Sequence, residues 1–309
     1  MIARLRPFAG LLAWVLNLVM PGISYAQSRG VYPLGMTAVG AGVTPDPAFT
    51  YANQLLFYSR DESKADDGST LPVSGNNAVV MDMNSFIWVS GRTFLGGARY
   101  SAVATVPIAK NQLVSDIRGQ LSGGGGLADS YYLPLILGWN KDVLSVRAMA
   151  GFLAPTGRFT DGASDNVGSG YWTPTLSSGQ TVQLTRSKTL TLSAFELYEW
   201  HTEQESTSTK PGDTINLDYS LLRTFPFEKG PRLQVGLAGY EQRQTTAKTG
   251  PAITAEQSRE RYAINALGFV TNVVLPNQRL NVGVRFFKEF ANRASYQGYS
   301  VQLSGSVSF

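Results

Sequence analysis

The chain has 309 residues, no cysteine, and 26 basic against 22 acidic side chains, for a formal net charge of +4. So small an excess excludes the phosphate-neutralising surface of a nucleic-acid binder. The missing cysteines exclude disulfides, thiolate nucleophiles and a lipidated N-terminal cysteine.

Residues 1–26 read as a secretory signal peptide. Arg4 and Arg6 give a positive start, Phe8 to Met20 is apolar apart from Asn17, and Pro21-Gly22 breaks the helix. Ser24-Tyr25-Ala26 then offers a small-x-small cleavage site before Gln27. The apolar run falls short of the roughly 20 residues that cross a bilayer as a helix. Residues 27–47 are spaced by glycine and proline without a clear period. They lie either in the periplasm or folded back into a lumen as a plug.

From residue 48 to 309 the sequence predicts twelve strands. The first covers about 49–60, with Tyr51, Leu55 and Phe57. The second, about 78–90, sets Val79, Met81, Met83, Ile87 and Val89 outward against an inward Asp82 and Asn84. The third runs about 98–108 through Tyr100, Ala102, Ala104 and Val106. In the fourth, about 129–140, Tyr131, Leu133, Leu135, Leu137 and Trp139 are expected on one lipid-facing side, with Tyr131 and Trp139 at the two membrane interfaces. The fifth, about 143–154, turns Leu144, Val146 and Phe152 outward and Arg147 inward, and the sixth covers about 171–186. The seventh, about 189–203, puts Leu190, Leu192 and Ala194 outside, with Phe195, Leu197, Glu199, His201 and Glu203 inside. The eighth, about 214–224, alternates Ile215, Leu217, Tyr219 and Leu221 with Asn216, Asp218 and Ser220. The ninth and tenth cover about 232–245 and 260–275, and the eleventh, about 279–291, directs Arg285, Phe287 and Glu289 inward.

The last strand is the clearest. Tyr299, Val301, Leu303, Gly305, Val307 and Phe309 share one face, and Ser300, Gln302, Ser304, Ser306 and Ser308 the other. A strand with an aromatic at each end of an apolar face and a wholly hydroxyl-or-amide opposite face suits a wall between lipid and water. An edge strand of a soluble sandwich would alternate likewise, so loop lengths decide. Connections near 60–77, 109–128, 155–170, 204–213 and 246–259 are long, whereas 140–142, 187–188 and 276–278 are tight turns. Long loops on one side and short turns on the other define an all-β transmembrane antiparallel barrel of twelve strands in an outer membrane. Its partners are then membrane lipid and, through the strand ending in Phe309, the machinery that assembles such barrels.

Candidate chemistry is sparse. His201, the single histidine, has Ser193 and Glu199 nearby in sequence, so a lipid hydrolase is the least favoured alternative. A metal site from His201, Glu199 and Glu203 is weakly signalled. Gly123 to Gly126 has no following helix to make a phosphate cradle. No catalytic residue, metal or other cofactor is indicated. The expected lumen lining is Asp82, Asn84, Arg147, Phe195, Glu199, His201, Asp218, Arg285, Phe287 and Glu289. Membrane-interface aromatics are Tyr131, Trp139, Tyr299 and Phe309. Charges inside a barrel must be paired or wet, and the inward Phe195, Leu197 and Phe287 suit a partly apolar permeant.

Several short segments occur in a characteristic order: Gly40-Ala41-Gly42 through Pro45-Asp46-Pro47, Gly138-Trp139, Pro155-Thr156-Gly157-Arg158-Phe159 and Gly168-Ser169-Gly170-Tyr171-Trp172. Further on come Gly212-Asp213, Asn216-Leu217-Asp218-Tyr219, Val235 to Gln242 and the terminal Phe309. In these the chain resembles the outer-membrane family named for the meta-pathway of phenol degradation, transporters of aromatic and other apolar compounds. The resemblance implies a barrel and passive uptake of hydrophobic small molecules; it carries over no ligand or catalytic residue. A non-conducting structural or interaction barrel is the main alternative.

Overall fold

A computed structural model describes residues 29–72, 76–115, 119–121, 123–163, 165–228 and 230–309. The signal-peptide expectation lies outside these residues. The chain forms β1 (Phe49–Lys64), β2 (Asn76–Phe94), β3 (Ala98–Ser115), the short β4 (Gly119–Leu121) and β5 (Gly125–Leu127), β6 (Ser130–Asn140) and β7 (Leu144–Ala154). These are followed by β8 (Thr173–Gln183), β9 (Leu190–Glu199), β10 (Thr214–Pro226), β11 (Arg232–Gln244), β12 (Ala263–Leu275), β13 (Leu280–Glu289) and β14 (Ser295–Ser308). A five-residue helix, α1 (Ala255–Arg259), sits in the β11–β12 connection and is closed by a capping box between Thr254 and Gln257.

Each long strand pairs antiparallel with its sequence neighbour, β3 with β6 across the two short strands, and β1 with both β2 and β14. Setting β4 and β5 aside, the remaining twelve strands close into a barrel with no free edge. Closure is what membrane insertion demands, because an unpaired strand margin would leave backbone N–H and C=O groups facing hydrocarbon. The outward residues of successive strands form an apolar band that includes Leu135, Leu176, Leu192, Ile215, Leu237, Phe269, Val282 and Leu303, all exposed. Short connections at 95–97, 141–143, 184–189, 227–231 and 276–279 gather at one end with Phe309, whose N–H donates to the Phe49 carbonyl. In outer-membrane barrels this end is periplasmic. β1, β2 and β3, at 16, 19 and 18 residues, exceed the roughly 9–11 that a crossing needs, and so extend beyond the membrane at the other end.

Two strands depart from the expected phase. In β6 the pairing with both neighbours slips at Pro134, between Ser101 and Val103 on one side and between Tyr132 and Leu135 on the other. Pro134 has no N–H for the ladder, and one extra residue there makes a bulge that turns the face over. Leu135, Leu137 and Trp139 therefore face out while Tyr131 and Leu133 face in, against the single face expected. The neighbouring β7 accommodates the bulge at Gly151, where a Cβ would lie 2.1 Å from the Tyr132 carbonyl oxygen. In β2 the whole register is inverted. Val80, Phe86 and Trp88 are 39%, 43% and 48% exposed, whereas Met83 and Val89 are buried, so the even-numbered residues face lipid.

Candidate functional site: a lumen threaded by residues 29–47

Residues 29–47 run through the barrel interior from the extracellular half to the periplasmic end. At the upper end the Arg29 guanidinium grips Glu289 with two bonds of 2.9 Å and also donates to the Tyr58 hydroxyl. Tyr58 and Tyr240 donate to the same carboxylate at 2.7 and 3.0 Å. At the lower end Asn140 bonds both the N–H and the C=O of Thr44, at 3.1 and 2.7 Å. Between these anchors the wall meets the segment's backbone in order. Glu199 accepts from Val31 N–H at 2.7 Å, and Gln242 from Gly30 N–H at 3.0 Å. Asp218 accepts from the Tyr32 hydroxyl (2.7 Å), Gly35 N–H (2.9 Å) and Thr37 N–H (3.1 Å). Arg285 donates to the Met36 carbonyl at 3.1 Å, Ser220 to Ala38 at 2.6 Å, and Arg147 to Ala41 at 2.7 Å.

Chemical complementarity explains the pattern. A buried irregular segment must find partners for its own peptide groups, and here wall acids accept from its N–H groups while wall arginines donate to its carbonyls. Gly35 shows how close the fit is. Its φ is +78°, and a Cβ would lie 2.7 Å from the Phe287 ring, so both conformation and space require glycine. Apolar contacts complete the packing. On one side Tyr32 joins Tyr131, Leu133, Ile136, Met149, Phe195 and Leu197. On the other Ala38 joins Leu222, Tyr240, Ile264, Val270 and Phe287.

Of the residues expected in the lumen, Arg147, Phe195, Glu199, Asp218, Arg285, Phe287 and Glu289 are inside, and all but Phe195 and Phe287 bond to residues 29–47. His201 is buried just above the end of β9. Asp82 and Asn84 are corrected to the outer face: Asn53 donates to both, and the Tyr51 hydroxyl donates to Asn84 at 2.6 Å. Alternating polarity misled the sequence reading there, because β2 carries its polar residues toward lipid. A second outward acid, Glu196, accepts from Ser178 at 2.8 Å and Gln180 at 3.0 Å. Tyr131 is likewise corrected, from membrane interface to lumen, where its ring lies 6.5 Å from Tyr32. Trp139, Tyr299 and Phe309 are on the outer surface, with Trp139 donating to the Leu95 carbonyl at 3.1 Å and Tyr299 stacked 6.3 Å from Phe286. Arg29, Tyr32, Tyr58, Tyr240 and Gln242 went unmarked, since nothing in 27–47 signals where its backbone will dock.

The extracellular mouth is tied together by buried polar groups. Asp129 accepts from Gly157 N–H at 3.0 Å and Ser169 N–H at 2.8 Å, joining the Pro155–Phe159 and Gly168–Trp172 segments noted in the sequence. Burial raises the Asp129 carboxyl above its ordinary range, and these bonds oppose the rise. His201 Nδ1 lies 3.0 Å from Thr173 Oγ1, its ring meets Tyr171 edge-on at 5.1 Å, and its N–H backbone donates to Asp213 at 3.0 Å. Burial pushes the imidazole down to about 4. Ser193 bonds Thr181 instead of His201, so the Ser193–His201 pair does not form, and His201 Nε2 lies 3.7 Å from the Glu199 carboxylate. Glu203 lies exposed beyond the end of β9, so the three-residue metal alternation does not form.

The family described as the MetA-pathway of phenol degradation matches residues 60–304. The chain belongs to this family. Among solved structures, this phenol-degradation family member is similar to the COG4313 outer membrane channel from Pseudomonas putida F1. The two share 13% identity and a TM-score of 0.65, over 91% of this chain and 100% of that one. It is also similar to the beta domain of the Bordetella autotransporter BrkA, at 10% identity and a TM-score of 0.52, over 85% and 100% of the two chains. No curated protein matches the chain in sequence. The closed, apolar-belted architecture is that of the outer membrane, and the chain resides there.

Proposed function

We propose that this barrel admits small aromatic or other hydrophobic compounds passively, along a path opened when residues 29–47 shift from their bonds to the wall. The observation that carries this proposal is the aromatic cluster around Tyr32. There the rings of Tyr32, Tyr131 and Phe195 meet, and the buried Tyr131 hydroxyl sits beside the hydroxyls of Thr175 and Ser177. Aromatic faces beside a cluster of hydroxyls suit a ring carrying a polar substituent. The family's association with phenol degradation supports the same class of solute, and the likeness to an outer membrane channel supports passage through the barrel. The strand ending in Phe309 serves, in this proposal, as the recognition signal for barrel assembly.

An engineered lock tests it. The chain has no native cysteine, and Ser220 already touches the Ala38 carbonyl. A disulfide between Ala38→Cys and Ser220→Cys should stop uptake of phenols and alkylbenzenes by cells or liposomes, and reduction should restore it. The filled lumen also supports a second reading, a structural barrel that passes nothing. Uptake indifferent to both oxidation and deletion of residues 29–45 would favour that reading.

A further inference from the structure

We propose that the outer surface of the barrel binds the phosphate of an outer-leaflet glycolipid, in a hollow floored by Ala263 and ringed by Arg243, Arg261 and Arg293. The sheet register builds this site. Arg243 on β11 is the cross-strand partner of Ala263 on β12. Ala263 in turn pairs with Arg293, the two exchanging N–H to carbonyl bonds of 3.0 and 2.9 Å. Residues directly opposite in a ladder share a face. That face is the outer one, because Leu267 and Phe269, at even offsets from Ala263, are exposed at 47% and 54%. Arg261, two residues before Ala263, brings the third guanidinium. The small alanine leaves space between the long side chains, a cavity of about 490 Å³.

The donors are unevenly committed. Arg243 is fixed in place, donating to the Gln242 and Ile264 carbonyls at 3.0 and 2.6 Å and to Glu241 at 3.2 Å. Arg261 spends one terminal nitrogen on the Ser258 and Glu260 carbonyls, at 2.7 and 2.9 Å, and its other two nitrogens make no bond among the described residues. The Arg293 guanidinium is exposed and makes no hydrogen bond among the described residues. Asp66, reaching over from the β1–β2 connection, is the single acid among the lining residues. Glu241 pairs with Arg243 and Asp66 lines the hollow, so three guanidiniums against these two carboxylates leave an excess positive charge, and the forked N–H groups of Arg261 and Arg293 match phosphate oxygens.

Position selects a lipid over a soluble anion. The hollow lies at the extracellular ends of β11 and β12, immediately beyond the apolar band, with Leu267, Phe269, Phe286 and Phe290 on the wall beneath it. A ligand that satisfies both surfaces has an anion at the height of the headgroups and acyl chains below, which describes a phosphorylated glycolipid of the outer leaflet. Nothing in this depends on what crosses the lumen.

The test uses the purified full-length barrel in detergent, with Arg261→Gln/Arg293→Gln as the variant, since those side chains hold the spare donors and no strand contact depends on them. Arg186→Gln/Lys188→Gln, at the periplasmic turns, is the charge-matched control. Heat-modifiable gel mobility reports that each barrel is folded. Binding of a phosphorylated lipid A, its dephosphorylated form and inorganic phosphate is then followed by native mass spectrometry and thermal shift. Wild type and control should bind phosphorylated lipid A at least tenfold more tightly than the folded Arg261/Arg293 variant does, and at least tenfold more tightly than they bind the dephosphorylated lipid. Equal affinity in the variant, or equal affinity for the dephosphorylated lipid, overturns the site. Inorganic phosphate binding as tightly as the lipid overturns the lipid assignment.

Discussion

Asp218 offers the sharpest test of how the lumen is closed. Its carboxylate accepts three hydrogen bonds from residues 29–47, from the Tyr32 hydroxyl, Gly35 N–H and Thr37 N–H, at 2.7 to 3.1 Å. Bonds to a charged acceptor contribute roughly 1.5–3 kcal/mol each, and because neighbouring bonds are not additive about 4 kcal/mol is a fair sum. Asp218→Ala removes both acceptor oxygens, and with them all three bonds, while Ile215, Leu217, Tyr219 and Leu221 on the outward face of β10 keep their lipid contacts. With about 1.4 kcal/mol per decade, the equilibrium between docked and displaced segment should shift roughly a thousandfold toward displacement. Single-channel recording in planar bilayers should then show openings that are far more frequent than in wild type, with heat-modifiable mobility unchanged. Asp218→Asn, which keeps one acceptor oxygen, should fall between the two. A folded Asp218→Ala barrel with wild-type conductance would refute the view that backbone capture by wall acids keeps the segment in place.

Other substitutions bear on other parts of the wall. Gly151→Leu, facing the Pro134 bulge, should destabilise the barrel by about 2 kcal/mol or more through overpacking, read from urea unfolding in lipid vesicles. Asp82→Leu and Glu196→Leu, both outward and facing lipid, should each raise stability in the same assay, by about 1–2 kcal/mol. Because burial holds the His201 imidazole near 4, below its ordinary 6.5, the unfolded chain binds a proton that the folded one refuses. The stability tied to this group is complete above pH 6.5 and is lost as pH falls toward 4, by roughly 3 kcal/mol at about 1.4 per unit. His201→Gln should flatten that part of the pH profile, measured against the charged neighbours Glu199, Lys210 and Asp213.

What the sequence reveals and what it hides divides along physical lines. β10, β13 and β14 were legible because each sets apolar residues at every second position against polar ones, so the buried polar face and the lipid face separate on inspection. β2 was not, since Asp82 and Asn84 hydrogen-bond with Asn53 and Tyr51 on the lipid side while Met83 and Val89 fill the interior. Alternation fixes two faces but not which of them looks inward. β6 failed for another reason: a single bulge at Pro134 inverts everything after it, and one residue out of place leaves no mark on an alternating pattern that is apolar on both sides. The partners of Arg147, Glu199, Asp218 and Arg285 in the lumen were hidden, because a peptide backbone has no letter in the sequence.

That last point bears on how such a barrel could open. Residues 29–47 carry only two charged side chains, Arg29 and Asp46, so their hold on the wall is made chiefly of peptide groups meeting Glu199, Asp218, Arg285 and Arg147. An apolar permeant cannot replace those bonds. Expelling the whole segment would strand five charged wall residues, Glu289 included, unless water followed, at several kcal/mol for each unpaired group. A partial shift is cheaper. If the segment gives way beside Tyr32 and Phe195, where contact is aromatic, the Arg29–Glu289 anchor above and the Thr44–Asn140 anchor below can stay closed. Deleting the upper anchor by Arg29→Ala should therefore raise background leakage of small ions more than it raises uptake of aromatic compounds. Comparing the two fluxes in one preparation of proteoliposomes separates partial displacement, where ions gain more, from complete expulsion, where both rise together.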